Sequence, residues 1–462
     1  MRNLVGSVKR GAGSRFARDA VFLQIAAFVN LGTGLFTSWV LFRVLGVFGY
    51  GQYVEALNLR DLLLFLGNVG FAQLVVARAS EAMGRLDEAG VARWIAFFVK
   101  AFGAFSAILC LLGFVLGPLL GLLILRDAET GLWAAVLGLS GPLTVPFYAA
   151  QCALQSTRRM RLLAEMENLK EITRAQLIIC ATIATVDLRG AVIAEVIGNL
   201  ASAIFAFHAY AKARRDPGMA LPSVRQILAA TQTIGWGEVL QHARKGAVLS
   251  INKNFQALIP TVLPRLILGH FASPREVGYL TLAQNLMKLP LIGLQGVSRT
   301  LMPTLGQLRG AGQIDRLRSF LRKMMLISGG VVSIGSAAWW LFLTWFMPLF
   351  YGDASRPALP LLPWLWIAMA IAGFAVGVEA FFIVLDRLHI AIRISLIFVA
   401  LSVVPGLWMI HRYHADGAAA YIALVHGSAA TSIAYVLWFL YRSGASAPAE
   451  APPEPEGLPP ER

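Results

Sequence analysis

The chain of 462 residues is 57% hydrophobic and only 14% charged, with a mean hydropathy of +0.66. That composition is too apolar for a soluble globular domain and excludes an intrinsically disordered chain. The formal net charge of +15 does not make nucleic acid an expected partner, because the loop charges that orient membrane helices produce such a surplus by themselves.

A helix crosses a hydrocarbon core about 30 Å thick with roughly 20 apolar residues. About twelve stretches approach or exceed that length: 20–42, 53–76, 94–119, 132–154, 169–186, 191–210, 246–263, 277–301, 324–346, 361–385, 390–410 and 418–440. They predict an all-α polytopic membrane protein. The first is full length and lacks a small-residue cleavage site after a short apolar core, so it reads as a span and not as a removable signal. Arg10, Arg15 and Arg18 precede it, Arg158, Arg159 and Arg161 follow span four, and Lys and Arg pile up in every second gap. This asymmetry predicts cytoplasmic amino and carboxyl termini. It also predicts attraction to anionic lipid headgroups.

The longest internal connection, 211–245, joins spans six and seven, and within it Ser223 is placed to cap a short helix carrying Val224, Ile227 and Leu228 on one side. Residues 443–462 are rich in Pro, Ala and Glu and are expected to be disordered. The expected organisation is therefore a six-helix bundle over 1–210, a linker over 211–245, a second six-helix bundle over 246–442 and a tail. Cys110, Cys152 and Cys180 all fall inside apolar stretches, too scattered for a disulfide framework or a metal site, and read as small packing residues.

The two bundles share a pattern. Arg43, Gly46 and Phe48 match Arg265, Gly269 and Phe271; after a short gap, Gly51, Ala56, Asn58, Leu59 and Leu62 match Gly278, Ala283, Asn285, Leu286 and Leu289. Six spans is an even number, so both copies enter the membrane in the same orientation. The halves should then be pseudo-symmetric about an axis along the membrane normal, with a central cavity between them.

No Gly-rich loop ending in Gly-Lys-Ser/Thr, no paired metal-ligand histidines and no nucleophile elbow occur. No catalytic residue, metal or cofactor is therefore expected, and the short far-side gaps leave no room there for a soluble catalytic domain. The informative residues are charges inside spans, each costing about 2.5–3.5 kcal/mol at the bilayer centre unless it faces water or a partner. At ~1.5 Å per residue, Lys288 lies about 16 Å into span eight, Lys253 about 10 Å into span seven, and Arg60 at similar depth in span two. Lys253 belongs to the run Ser250, Asn252, Asn254 and Gln256, too polar for a helix surrounded by lipid, so span seven should line a cavity. Asn58, Asp61 and Asn68 form a polar face on span two beside Arg60, and Asp61 falls on Lys288 in the repeat.

Arg60, Lys253 and Lys288 outweigh Asp61, and Arg244 and Lys245 stand at the cytoplasmic mouth. Together they predict a wet, net positive cavity suited to a phosphate-bearing anion. Asp61 reads either as a structural partner of Arg60 or Lys288 or as an ion-coupling group, and Glu379, in the inner third of span ten, is a second candidate for a proton or ion. Lys100 is expected to snorkel to the headgroups. Glu55 and Glu195, near the outer ends, read equally well as solvated groups.

The run Arg-x-Leu-Gly then Gly-x-Gly-x-Tyr (43–53), its echo over 268–286 and the motif LFYGDASRPALPLLPWL (349–365) resemble the Wzx-type polysaccharide transporters. These are lipid-linked oligosaccharide flippases of the multidrug/oligosaccharidyl-lipid/polysaccharide superfamily. The resemblance covers the chain up to its tail. It implies a V-shaped pair of six-helix bundles in a bacterial inner membrane, moving an undecaprenyl-diphosphate-linked glycan to the periplasmic leaflet by alternating access. The product would be O-antigen, capsule or exopolysaccharide. It further implies a cationic lumen, into which Arg60, Lys253 and Lys288 fit, coupling to a proton or sodium gradient, and polysaccharide polymerase machinery as a partner. A multidrug exporter of the same superfamily is expected to carry a mid-span acid in its first bundle; span one holds Gln24 and Asn30 but no Asp or Glu, although Asp61 is near. A polymerase or ligase needs long outer loops, and a peptidoglycan-precursor flippase more spans.

Overall fold

The computed structural model describes residues 24–65, 71–84, 87–157, 159–215, 221–243, 258–292, 301, 305, 313–385 and 387–442. All regular structure among them is helical. The first half comprises α1 (Gln24–Val44), α2 (Gly46–Phe65), α3 (Phe71–Gly84), α4 (Glu88–Leu120), α5 (Ala128–Gly138), α6 (Ser140–Leu143), α7 (Val145–Ser156), α8 (Met160–Thr185) and α9 (Leu188–Arg215). A short connecting helix, α10 (Val224–Thr233), follows. The second half contains α11 (Leu263–Phe271), α12 (Pro274–Met287), α13 (Leu289–Ile292), α14 (Ile314–Tyr351), α15 (Leu362–Phe374), α16 (Val378–Val384), α17 (Leu388–Val425) and α18 (Gly427–Arg442).

Six described helices are long and apolar enough to cross a membrane, and α5 to α7 qualifies as a seventh once its 43° bend is allowed. One of the six covers two expected spans, because the chain doubles back at His414 (φ 50°, ψ −123°) and a Cβ on Gly417 would lie 1.9 Å from the Met409 carbonyl oxygen. The described parts of the other expected spans are also helical but fall short of that test for local reasons. Spans two, seven and eight overlap 66–70, 244–257 and 293–300, which lie outside the described residues, while α8, which contains most of span five, begins earlier and carries Arg161, Glu165, Glu167, Lys170, Glu171 and Arg174. Span seven is expected to end at 263, whereas the helix there runs on to Phe271 and includes Arg265. Exposed Leu111 and Val115 on α4, Cys180 on α8, and Leu401 and Val404 on α17 form the apolar exterior that a lipid-facing surface requires.

The bends follow from proline and glycine. In span four Pro142 and Pro146 lack the amide N–H that a continuous helix needs, and Thr144 Oγ1 donates to the Ser140 and Gly141 carbonyls at 2.8 and 3.0 Å. Span ten breaks between α15 and α16 at Gly377, whose φ of +91° favours glycine.

Ser223 caps α10 as expected, in a reciprocal capping box with Gln226. Only Ile227 packs inward; Val224 and Leu228 are exposed. Lys100 does not snorkel: its Nζ donates to the carbonyls of Thr231 at 3.3 Å and Ile234 at 2.5 Å and stands over the Trp236 ring, tying the connecting helix to α4.

How the halves meet is visible in the cores. One apolar core draws residues from both halves, including Leu41, Tyr53, Leu59, Leu266, Leu280, Met347 and Tyr421. Two others are private: one runs from Phe71 to Ala243, the other from Leu305 to Val436. The halves therefore share a core at one end, here called the closed end, and pack separately at the other. The closed end carries the turns near 45, 126, 272 and 352, which the charge asymmetry assigns to the far side of the membrane.

The closed end depends on two repeat-related glycines. Helices α2 and α12 cross where a Cβ on Gly51 would lie 1.7 Å from the Pro274 carbonyl oxygen and one on Gly278 would lie 2.7 Å from that of Val47. Backbone lies opposite in both cases, so a methyl group cannot be accommodated by a side-chain rotation. Gly51→Ala is expected to part the halves at this end. With the native cysteines removed and a reporter cysteine at buried Leu268, thiol labelling should rise by about tenfold or more, corresponding to about 1.4 kcal/mol.

Candidate functional site

Between the halves lies a cavity of about 380 Å³. Helix α1 contributes Asn30, Thr37 and Ser38, α2 contributes Tyr50, Tyr53, Asn58 and Asp61, and α8 contributes Arg174. The second half contributes Arg265 from α11, Thr281 and Asn285 from α12, and Lys288 at the C-cap of α12. Three cations thus face the space against one carboxylate.

The first half balances its charges locally. Arg60 Nη2 lies 2.7 Å from Asp61 Oδ1 and Arg60 Nη1 lies 3.8 Å from Glu195 Oε1. Arg174 Nη1 reaches Glu195 Oε2 at 2.8 Å while its Nη2 reaches Glu171 at 2.8 Å. Tyr53 OH donates to Glu195 Oε2 at 3.1 Å, and Asn199 Nδ2 donates to the Glu195 carbonyl at 2.9 Å and to Ser140 Oγ at 3.2 Å. Glu195 is thus a buried hub, not a solvated outer residue, and it holds Arg174 at the cavity wall and Arg60 behind it.

The second half does not balance. Arg265 is 7% exposed; its Nε donates to Gln284 Oε1 at 2.7 Å, and its Nη2 is buried with no hydrogen-bond partner. Gln284 is fixed in turn by donating from Nε2 to the Pro260 carbonyl at 3.2 Å. Among the described residues Lys288 has no ion-pair partner, and no acid of the second half lines the cavity. Asn58 Nδ2 is also buried without a partner. Donors of Arg265, Lys288 and Asn58 thus border one space, together with Asn30 Oδ1, an acceptor for which no partner is found among the described residues.

Of the residues singled out in the sequence, Asp61, Lys288 and Asn58 line the cavity. Arg60 stands behind the wall, turned to Asp61 and Glu195. Glu379 lies on α16 beyond the Gly377 break, exposed and away from the cavity. Asn68, Arg244, Lys245, Ser250, Lys253, Asn254 and Gln256 lie outside the described residues. Arg174, Glu195 and Arg265 were not singled out as site residues. Arg265 was paired with Arg43 in the repeat but placed beyond the end of span seven, and Arg43 itself is spent at the closed end, donating to the Phe350 carbonyl at 2.7 Å.

Comparison with known proteins agrees with this architecture. Residues 16–309 match the model of the polysaccharide biosynthesis protein family, and residues 257–409 match the MatE model. No curated protein matches in sequence. Among solved structures, the lipid II flippase MurJ in an inward closed conformation is similar with a TM-score of 0.66 at 14% identity, covering 91% of this chain and 87% of that one. A eukaryotic MATE transporter is similar with a TM-score of 0.65 at 14% identity (93% and 96% covered), and an inward-facing multidrug resistance MATE transporter of the MOP superfamily with 0.63 at 14% (92% and 96%). These likenesses establish the all-helical, multi-span fold of that superfamily. With its family model matched over well more than half its length, the chain belongs to the polysaccharide biosynthesis protein family.

Proposed function

We propose that the protein is a flippase that moves an undecaprenyl-diphosphate-linked oligosaccharide across the bacterial inner membrane by alternating access, in the assembly of a surface polysaccharide. The observation that carries this reading is the unneutralised pair Arg265 and Lys288 in a cavity between two halves that share a core at one end only. Guanidinium and ammonium groups are the usual diphosphate partners, and in a low-dielectric cleft their field concentrates an anion. The sugar headgroup crosses through the cavity while the polyprenyl tail stays in lipid at the groove between the halves. With amino and carboxyl termini in the cytoplasm, the separated end faces the leaflet on which the substrate is built. Membrane lipids and the polysaccharide polymerase machinery are the expected partners, with a proton or sodium gradient as the driving force.

A multidrug exporter is the second reading, favoured by the MatE match over 257–409. Such a cargo is commonly cationic, and the uncompensated cations of the second half repel it. A knockout that accumulates lipid-diphosphate oligosaccharide on the cytoplasmic leaflet supports the flippase, whereas drug sensitivity with normal glycan supports the exporter.

Two substitutions separate binding from architecture. Lys288→Glu should abolish glycan export, scored by surface polysaccharide, while leaving membrane insertion and thermal stability near wild type; normal export removes Lys288 from the mechanism. Glu195→Ala leaves Arg174 and Arg60 without their shared counter-charge, and losing one partner of a buried ion pair costs about 3–5 kcal/mol. It should lower the thermal unfolding midpoint in detergent by several degrees, and an unchanged midpoint would show that the hub is not structural.

A further inference from the structure

A carboxyl group sits in the seam of the closed end with no ion-pair partner among the described residues. Glu55 of α2 is 1% exposed, and its Oε1 is buried with no hydrogen-bond partner. Across the seam is Gly269 of α11, in the other half: a Cβ there would lie 2.7 Å from Glu55 Oε1 and 2.8 Å from Leu125 Cδ2. The bare glycine makes room for the carboxyl, and Leu125 seals its flank.

The surrounding ionisable groups do not help it. Asp127, in the turn before α5, adds like charge, its own carboxylate accepting from the Glu129 amide at 2.9 Å and from Thr130 Oγ1 at 2.6 Å. His270 on α11 directs Nδ1 to the Ile124 carbonyl at 2.8 Å. Arg265 is held by Gln284, Arg43 by the Phe350 carbonyl, and Arg60 by Asp61 and Glu195. On α12, Arg275 is exposed and Glu276 accepts from the Ala415 amide at 2.8 Å. Glu129 and Arg189 face each other at 3.8 Å on the exposed rim.

We propose that Glu55 is a proton-binding gate: a proton on its carboxyl holds the closed end together, and loss of that proton opens it. An ionised carboxylate without partner or water is among the costliest groups to bury, whereas the neutral acid costs far less. When α2 and α11 part, water replaces Gly269 and ionisation becomes favourable. By linkage, the closed arrangement takes up a proton that the open one releases, so acid favours closure and alkali opening. This rests on the seam alone and holds whatever the cargo is.

The test reads the distance across the closed end. With Cys110, Cys152 and Cys180 replaced by alanine, spin labels at Glu129→Cys and Arg356→Cys, exposed positions on opposite halves, report opening by double electron–electron resonance in lipid nanodiscs at pH 5, 7 and 9. The parent chain should show a closed-to-open ratio that falls by about tenfold or more across this range. Glu55→Gln, which mimics the protonated acid in size and charge, should stay closed at every pH. This arm also separates Glu55 from the other ionisable groups near the seam, His270, His411 and His414 among them. A parent distribution indifferent to pH, or a Glu55→Gln chain that keeps the parent response or stands open, overturns the proposal. Should Glu55→Gln fail to fold, Glu55→Asp decides: its shorter side chain should shift the midpoint of the response, and an unmoved midpoint overturns it.

Discussion

A charge inside a bilayer must find a counter-charge or water, and the two halves of this protein meet that constraint in opposite ways. In the first half Glu195 collects Arg60, Arg174, Tyr53 and Asn199 into one buried hub, with Asp61, Glu171 and its partner Lys170 completing the neutralisation. In the second half Arg265 has only the neutral Gln284, and Lys288 has the cavity. The cavity is therefore more than a gap left by packing. A polar-lined space is where two cations without ion-pair partners among the described residues can be tolerated, because a charge without a partner needs a wet surrounding.

The internal repeat explains why these groups converge. Residues matched between halves by sequence meet around the axis: Gly51 and Gly278 permit the crossing of α2 and α12, and Asn58 with Asn285, then Asp61 with Lys288, follow into the same space. Two copies of one helix thus line one site from both sides. Where Asp61 matches Lys288 the sign of the charge is reversed, which breaks the symmetry where a ligand of defined charge would be held.

Much of this was legible in the sequence, for physical reasons. The spans follow from hydropathy because backbone in lipid must be helical, and Lys288 and Asp61 could be placed at the cavity because a charge at mid-depth needs one. What escaped notice depended on where helices end or which way side chains turn. Arg265 was set outside its span because the apolar run fades at the proline-bearing segment 260–264, whereas the helix continues through it to Phe271. Glu195 and Glu55 occupy similar outer positions in the sequence, and both read equally well as solvated. Tertiary contacts give them opposite roles, since one is enclosed by arginines and the other faces a bare glycine. Arg60 is expected at the cavity, but its partners Asp61 and Glu195 hold it behind the wall.

The asymmetry between halves also indicates how binding and motion can be linked. With the cavity empty, Arg265 and Lys288 repel across a space that stays wet, and bringing the separated ends together would strip that water from two like charges. On the proposed reading, a diphosphate between them would remove the repulsion and replace the water with charge-assisted hydrogen bonds, letting the loaded form occlude where the empty form resists. A first half already neutral in itself supplies no comparable resistance. It can act as the fixed wall against which the second half, with its cargo, turns, and the seam at Gly51 and Gly278 is the line of contact that must give way when it does.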